Sequence, residues 1–386
     1  MTQIKIRKNQ LNGLLLIITL LSISLRLSFA TLGHNFDYDS FLIVVQLMQE
    51  GKNVYANTTR YNYGPIWFNL LHLFDTIAYL IPINHETAFR YIIVFFLSLV
   101  DIGIALILWR KITLVTATIF LLNPISIIIT GYHNQFDNLA LLLGLISIVI
   151  LGDSFDSPMN RRKLLGLTVL GLSLITKHNL FAFPIWLAVK QVKLRPKLIT
   201  ILLPILIFLA SFIPFWSEGK NGIIINVFLY KSWPNAFFYH LFIPLAIQLF
   251  LPSTMIWLIS LVAFAIIFRH KNVFETFLLY TCVVTTTSPA ITNQYLAIPL
   301  IFISANINFL SILYTVIGTL HLLVDENGLH INLLPQIIPA DKFIFYKILI
   351  SLLFFELIWL TWQKQLSLFF KTLAQEISLQ LANPKK

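Results

Sequence analysis

Residues 89–130 read FRYIIVFFLSLVDIGIALILWRKITLVTATIFLLNPISIIIT. Two apolar runs, 89–109 and 112–130, are separated only by Arg110 and Lys111. About 20 apolar residues suffice for a helix to cross the hydrocarbon layer of a bilayer. Two such runs joined by a short basic loop read as consecutive spans with the loop in the cytoplasm. The stretch also holds Asp101 in mid-run and Asn123-Pro124 inside the second run. A carboxylate at that depth must face protein or a wet cavity. Pro124 removes a helical hydrogen bond and predicts a kink. Arg90 falls near the same helical face as Asp101 but ~16 Å away along the axis, so each needs another partner.

The same pattern continues through the chain. Apolar segments recur at 12–30, 64–82, 138–152, 164–176, 179–193, 198–216, 237–251, 253–268, 273–289, 295–306, 308–323 and 342–362. Charged residues make up 11% of the 386, against roughly 25% in a soluble domain. A single soluble core stops growing near ~250–300 residues, so this composition excludes a soluble globule. One cysteine, Cys282, excludes a disulfide scaffold. The expected fold is an all-α polytopic membrane protein with about twelve transmembrane helices.

The net charge of +11 would suggest nucleic acid in a soluble protein. Here Lys and Arg read first as topology markers, and no nucleic-acid partner is expected. Lys5, Arg7 and Lys8 precede the first span, which lacks a small-residue cleavage site and reads as uncleaved. That end is placed in the cytoplasm. If 64–82 and 237–251 lie as interfacial or re-entrant helices on the far face, both chain ends are inside. The basic loops at 110–111, 161–163, 190–197 and 269–271, and the basic C-terminus, then fall inside too. The polar and Asn-rich stretches then fall outside: 31–63, 131–138, 177–179, 217–240, 288–295 and 324–341. No Walker or dinucleotide glycine loop, zinc spacing or repeat of 20–50 residues is present.

Four outer clusters carry chemistry. Asp37 and Asp39, in His34–Phe41, could serve as acid and base or hold a divalent cation, Mg or Mn. On a helix the two carboxylates diverge by ~200°. Asp39 is also placed to cap a helix over 40–50, whereas Asp37 has no such structural role. Glu50-Gly51, with Gly51 a candidate helix stop, leads to Arg60-Tyr61-Asn62-Tyr63-Gly64-Pro65. Its rings suit sugar stacking and its Arg suits phosphate. Gly131–Asn138 gathers His133, Gln135 and Asp137 in one turn. Lys177-His178-Asn179 puts a cation on the outer side, against the positive-inside bias, and an anionic partner such as a lipid phosphate accounts for it. Arg26 lies near the outer end of the first span.

On these residues the chain resembles the GT-C class of integral-membrane glycosyltransferases. Residues 20–190 carry the likeness. Asp37-Tyr38 through Phe41, Glu50-Gly51 through Tyr55, and Arg60 through Pro65 are similar to the glycosylphosphatidylinositol mannosyltransferase I family. His133, Gln135 and Phe136 look closer to dolichol-phosphate-glucose-dependent glucosyltransferases, and Lys177 with Pro184 is similar to both and to their bacterial relatives. Only Asn293-Gln294-Tyr295 before Pro299 extends the likeness into the C-terminal half. The family's Asp-x-Asp fits as Asn35/Asp37 or as Asp37/Asp39, so Asp37 is acidic in both.

The resemblance implies one integral-membrane domain, 1–386. A GT-C-like module, 1–216, would hold a catalytic outer loop at 31–63, with variable C-terminal helices over 217–386. It implies inverting transfer of mannose or glucose from a polyprenyl-phosphate donor to a lipid or glycan acceptor. Asp37 would be the base, with Asp39 the alternative. Arg60, Lys177 and Arg26 would hold the donor phosphate, while Tyr38, Tyr61, Tyr63, His133, Gln135 and Asp137 would shape the sugar pocket. No retention signal is evident, and the terminal Asn383–Lys386 lacks dilysine spacing. The expected location is therefore a bacterial plasma membrane with the site extracytoplasmic, ahead of the endoplasmic reticulum. The rival reading is a secondary transporter with Asp101 and Arg26 on its path. A second rival is a polymerase or ligase of lipid-linked glycans.

Overall fold

The computed structural model describes residues 8–152, 159–230, 234–331, 334 and 341–382, and holds no strand among them. Lys5 and Arg7, the Lys231-Ser232-Trp233 stretch, part of 324–341 and the Asn383–Lys386 tail lie outside the described residues. The outer loop after α1 (Lys8–Thr31) folds into α2 (Phe36–Gln49), α3 (Val54–Asn57) and α4 (Pro65–Ala78). Next come α5 (His85–Lys111), α6 (Leu114–Leu122), α7 (Pro124–Gly131), α8 (Asp137–Leu151) and α9 (Arg161–Thr176). The chain continues through α10 (Phe183–Ala188), α11 (Leu194–Ala210), α12 (Trp216–Gly222), α13 (Phe237–Phe242) and α14 (Leu245–Gln248). It ends with α15 (Ser253–Ile267), α16 (Val273–Thr286), α17 (Leu300–Ala305), α18 (Phe309–Val324) and α19 (Lys342–Ala382).

Among the described residues, four helical runs are long and apolar enough to cross a membrane: Asn12–Thr31, His85–Lys111, Leu194–Phe228 and Lys342–Trp362. The kink expected at Pro124 is present, since α6 and α7 meet at 49° and make a fifth span if counted together. These helices mark the chain as a membrane protein. Leu202, Leu206 and Leu209 of α11 are exposed. In water such a face would be an aggregation hazard, whereas lipid tails cover it at no cost. Segment 64–82 becomes α4, whose 14 residues span ~21 Å, short of the ~30 Å hydrocarbon layer. Segment 237–251 breaks at Pro244 into α13 and α14.

Helix contacts follow membrane rules, with small residues and buried hydroxyls between backbones. Ser147 Oγ of α8 donates to the Gly166 carbonyl of α9 at 2.7 Å, and Ser173 Oγ of α9 donates to the Ala140 carbonyl at 2.7 Å. A side chain at Gly166 would run into Leu151, 2.7 Å away.

The partner of Asp101 is Arg26. Both are fully buried, with Arg26 Nη2 2.9 Å from Asp101 Oδ2. Ser126, Thr130 and Asn138 also donate to this carboxylate, at 3.3, 3.0 and 2.6 Å. The guanidinium reaches Ser22 and the Leu121 carbonyl as well. Five helices, α1, α5, α6, α7 and α8, are thus tied at one point. The expectation that Arg26 holds a donor phosphate is corrected here: its donors are spent inside the bundle.

Candidate active site

The outer loop is positioned by its caps. Asn35, not Asp39, caps α2, its side chain accepting the Asp37 amide at 3.2 Å. The helix therefore starts before both acids, and helical geometry splays them apart. Asp37 lines a cavity, while Asp39 stays half-exposed with His34 3.7 Å away. Gly51 stops α2 as expected. At φ 65° it lets Lys52 and Gly51 amides return to the Leu47 and Met48 carbonyls, a Schellman motif.

Gly64 fixes the aromatic loop. A Cβ there would lie 1.9 Å from the Ile175 carbonyl oxygen, so only glycine lets this strand of loop touch the end of α9. That contact sets Tyr63 beside Lys177, whose Nζ sits 4.9 Å from the Tyr63 and Phe136 ring centres. Phe136 in turn stacks on Trp67 at 4.1 Å. Asn134, at φ 56°, turns the chain so that Gln135 and Asp137 face the same point.

These elements gather one connected network. Lys177 Nζ lies 2.6 Å from Asp137 Oδ2 and donates to Gln135 Oε1 at 3.3 Å. Gln135 Nε2 donates to Asp37 Oδ2 at 2.7 Å. Asn35 Nδ2 donates to the same oxygen at 3.2 Å and lies 2.8 Å from His133 Nδ1. Burial raises the Asp37 carboxyl, and Lys177 and the Asn35 hydrogen bond pull it only part of the way back, while Asp137 adds to the rise. Burial pushes His133 down to about 3. Its ring is therefore neutral, with Nδ1 accepting from Asn35 and the proton on Nε2, an atom with no partner among the described residues.

Asp37, Tyr63, His133 and Lys177 line a polar cavity of about 330 Å³. A larger, mostly apolar cavity of about 600 Å³ adjoins it, walled by Phe181, Phe228, Trp257 and Ile298. His178, Asn179, Tyr230 and Tyr295 line both. Arg60 lines neither cavity; its guanidinium lies 3.6 Å above the ring of Phe36, which lines the polar one, and its charge reaches Asp37.

Other expected pocket residues lie elsewhere. Tyr38 is buried with its hydroxyl on the Glu86 carbonyl, and Tyr61 with its hydroxyl on the Gly64 carbonyl. Both are in the aromatic core because a ring followed by a satisfied hydroxyl packs better than it reaches. Asp137 was expected to help shape the sugar pocket; it sits behind the cavity, clamping Lys177 and Asn179. The sequence reading missed the C-terminal lining, where Asn293, Asp325 and Tyr346 face the polar cavity. They come from three separate C-terminal segments, and only Asn293 stood in a recognisable motif.

A divalent cation between Asp37 and Asp39 does not fit, because the two carboxylates diverge and one Asp37 oxygen already accepts two amides. Among the described residues no three His, Cys, Asp or Glu side chains converge as a metal group. Comparison with family models, curated proteins and solved structures gives no match.

Proposed function

We propose that this protein is a GT-C-type membrane glycosyltransferase. It moves a hexose from a polyprenyl-phosphate donor to a hydroxyl of a lipid or glycan acceptor, with inversion. The observation that carries the reading is the pair of adjoining cavities that share His178, Asn179, Tyr230 and Tyr295. The polar one holds a carboxylate and a cation, and the apolar one is large enough for part of an isoprenoid tail. A nucleotide-sugar enzyme or an ion pathway has no need of that second chamber.

In the reaction, the acceptor oxygen bonds to the anomeric carbon as the bond from that carbon to the phosphate oxygen breaks. Asp37 takes the hydroxyl proton. The electron pair leaves on the polyprenyl phosphate, whose charge Lys177 and Arg60 offset where it develops. The raised carboxyl of Asp37 suits a base working near neutral pH. The bilayer concentrates and orients the donor, replacing a nucleotide-binding fold.

In this reading the shorter apolar segments 138–152, 164–176, 179–193, 253–268, 273–289, 295–306 and 308–323 also cross, tilted or extended by their flanks, and with the five spans above give about twelve. The positive-inside pattern favours the extracytoplasmic face for the site, and the membrane proposed is a bacterial plasma membrane. The test is sugar transfer by purified protein in proteoliposomes, offered polyprenyl-phosphate mannose, glucose and arabinose with membrane lipid extract as acceptor. Transfer of one sugar supports the proposal. Proton-coupled uptake without transfer would replace it with the transporter reading.

A further inference from the structure

The C-terminal wall of the polar cavity is a second built network. Tyr346 donates to Asn293 Oδ1 at 2.6 Å, and His321 Nε2 lies 2.8 Å from the same oxygen. With its oxygen so engaged, Asn293 presents Nδ2 to Asp325 Oδ2 at 2.8 Å, and the Asn327 amide joins at 3.1 Å. One carboxylate oxygen of Asp325 is thus fixed by two donors, while the other accepts no hydrogen bond from the described residues. His133 lines the same cavity, fully buried, with an Nε2–H that has no partner among the described residues. The two walls are electrostatic neighbours: the Asp325 charge acts on the His133 ring.

A fixed acceptor and an orphan donor lining one small cavity form a site for a neutral hydroxyl, which donates to one and accepts from the other. A phosphate would be repelled by Asp325, and an ammonium would find no use for the His133 donor. We infer that Asp325 and His133 together hold a hydroxyl of the transferred sugar, with Asn293, His321 and Tyr346 as positioning residues. This rests on the proposed transferase reading. The donor phosphate at Lys177 leaves its sugar in the polar cavity, where both walls meet its ring substituents. The C-terminal half therefore contributes, with His133, to which sugar is accepted, while Asp37, Lys177 and Arg60 carry the transfer chemistry.

The test is binding, not turnover. Full-length protein in lipid nanodiscs is titrated calorimetrically with short-chain polyprenyl phosphate, bare or bearing the sugar that the wild type transfers. The wild type should bind the sugar-bearing lipid more tightly. Asp325→Asn should lower that advantage by roughly 10–100-fold, the worth of a hydrogen bond to a charged group, and leave the bare lipid within about twofold. Tyr346→Phe, which keeps the ring and loses only the donor to Asn293, should lower it in the same direction. A full sugar advantage in a folded Asp325→Asn or Tyr346→Phe protein overturns the inference and leaves the transferase reading standing. A wild type that binds neither lipid overturns the transferase reading and this inference with it.

Discussion

At the scale of single residues, Asp37 is set apart from Asp39 by where a helix begins. Asn35 starts α2 four residues before Asp39 could, and the turn of the helix sends one carboxylate inward and the other to solvent. The cavity-facing acid carries a pH signature. Its carboxyl lies above the ordinary aspartate range, so the acid limb of kcat/KM for sugar transfer should fall above about pH 4, the unperturbed value. A base works deprotonated, so activity rises with pH through that limb. Lys177 pulls the carboxyl down. Lys177→Met should therefore move the limb of the residual activity to higher pH, and an unmoved limb would assign the proton transfer to another group. His178 is pushed down to about 4 by burial, with Lys177 adding to the effect, and is neutral near pH 7.

At the scale of elements, the outer loop depends on one close approach. Gly64→Ala would force the loop off α9, because the added carbon meets the Ile175 carbonyl at 1.9 Å. Overpacking of this kind costs about 1–3 kcal/mol. The loop carries Tyr63, so activity should fall further than the thermal stability measured in detergent. The elements themselves were legible in the chain: nearly every apolar run became a helix near its expected bounds, and Gly51 and Pro124 ended and bent helices as their chemistry requires. The cap of α2 was not, since Asp39 before Phe41, Leu42 and Val45 mimics a helix start that Asn35 pre-empts. Tyr38 and Tyr61 were misplaced because a ring near an interface looks alike in sequence whether it faces a ligand or the core.

At the scale of the whole molecule, two distant pairings organise the protein. Arg26 and Asp101 lie 75 positions apart, and the C-terminal wall draws single residues from α18, α19 and the turn at Asn293–Ala297. Neither is visible from local spacing, because the chain declares an unpaired charge but not its partner. The buried pair acts as a clamp on five helices. Asp101→Asn leaves the Arg26 guanidinium uncompensated and should destabilise by about 3–5 kcal/mol. Arg26→Met combined with Asp101→Leu should recover most of that loss, as read by thermal unfolding. If Asp101 instead carried a proton along a pathway, the single variant would stay folded and lose only coupled flux.

In the proposed transferase, the adjoining cavities pass a sugar from a lipid phosphate to the acceptor with Asp37 as base. The most direct measurement is the initial rate of transfer in proteoliposomes by wild type, Asp37→Asn and Asp39→Asn under one donor and acceptor pool. Asp37→Asn should lower the rate roughly 10²–10⁴-fold, the usual contribution of a general base. Asp39→Asn should change it only about a few-fold. Equal activity of wild type and a folded Asp37→Asn protein, or a collapse confined to Asp39→Asn, would rule out Asp37 as the base.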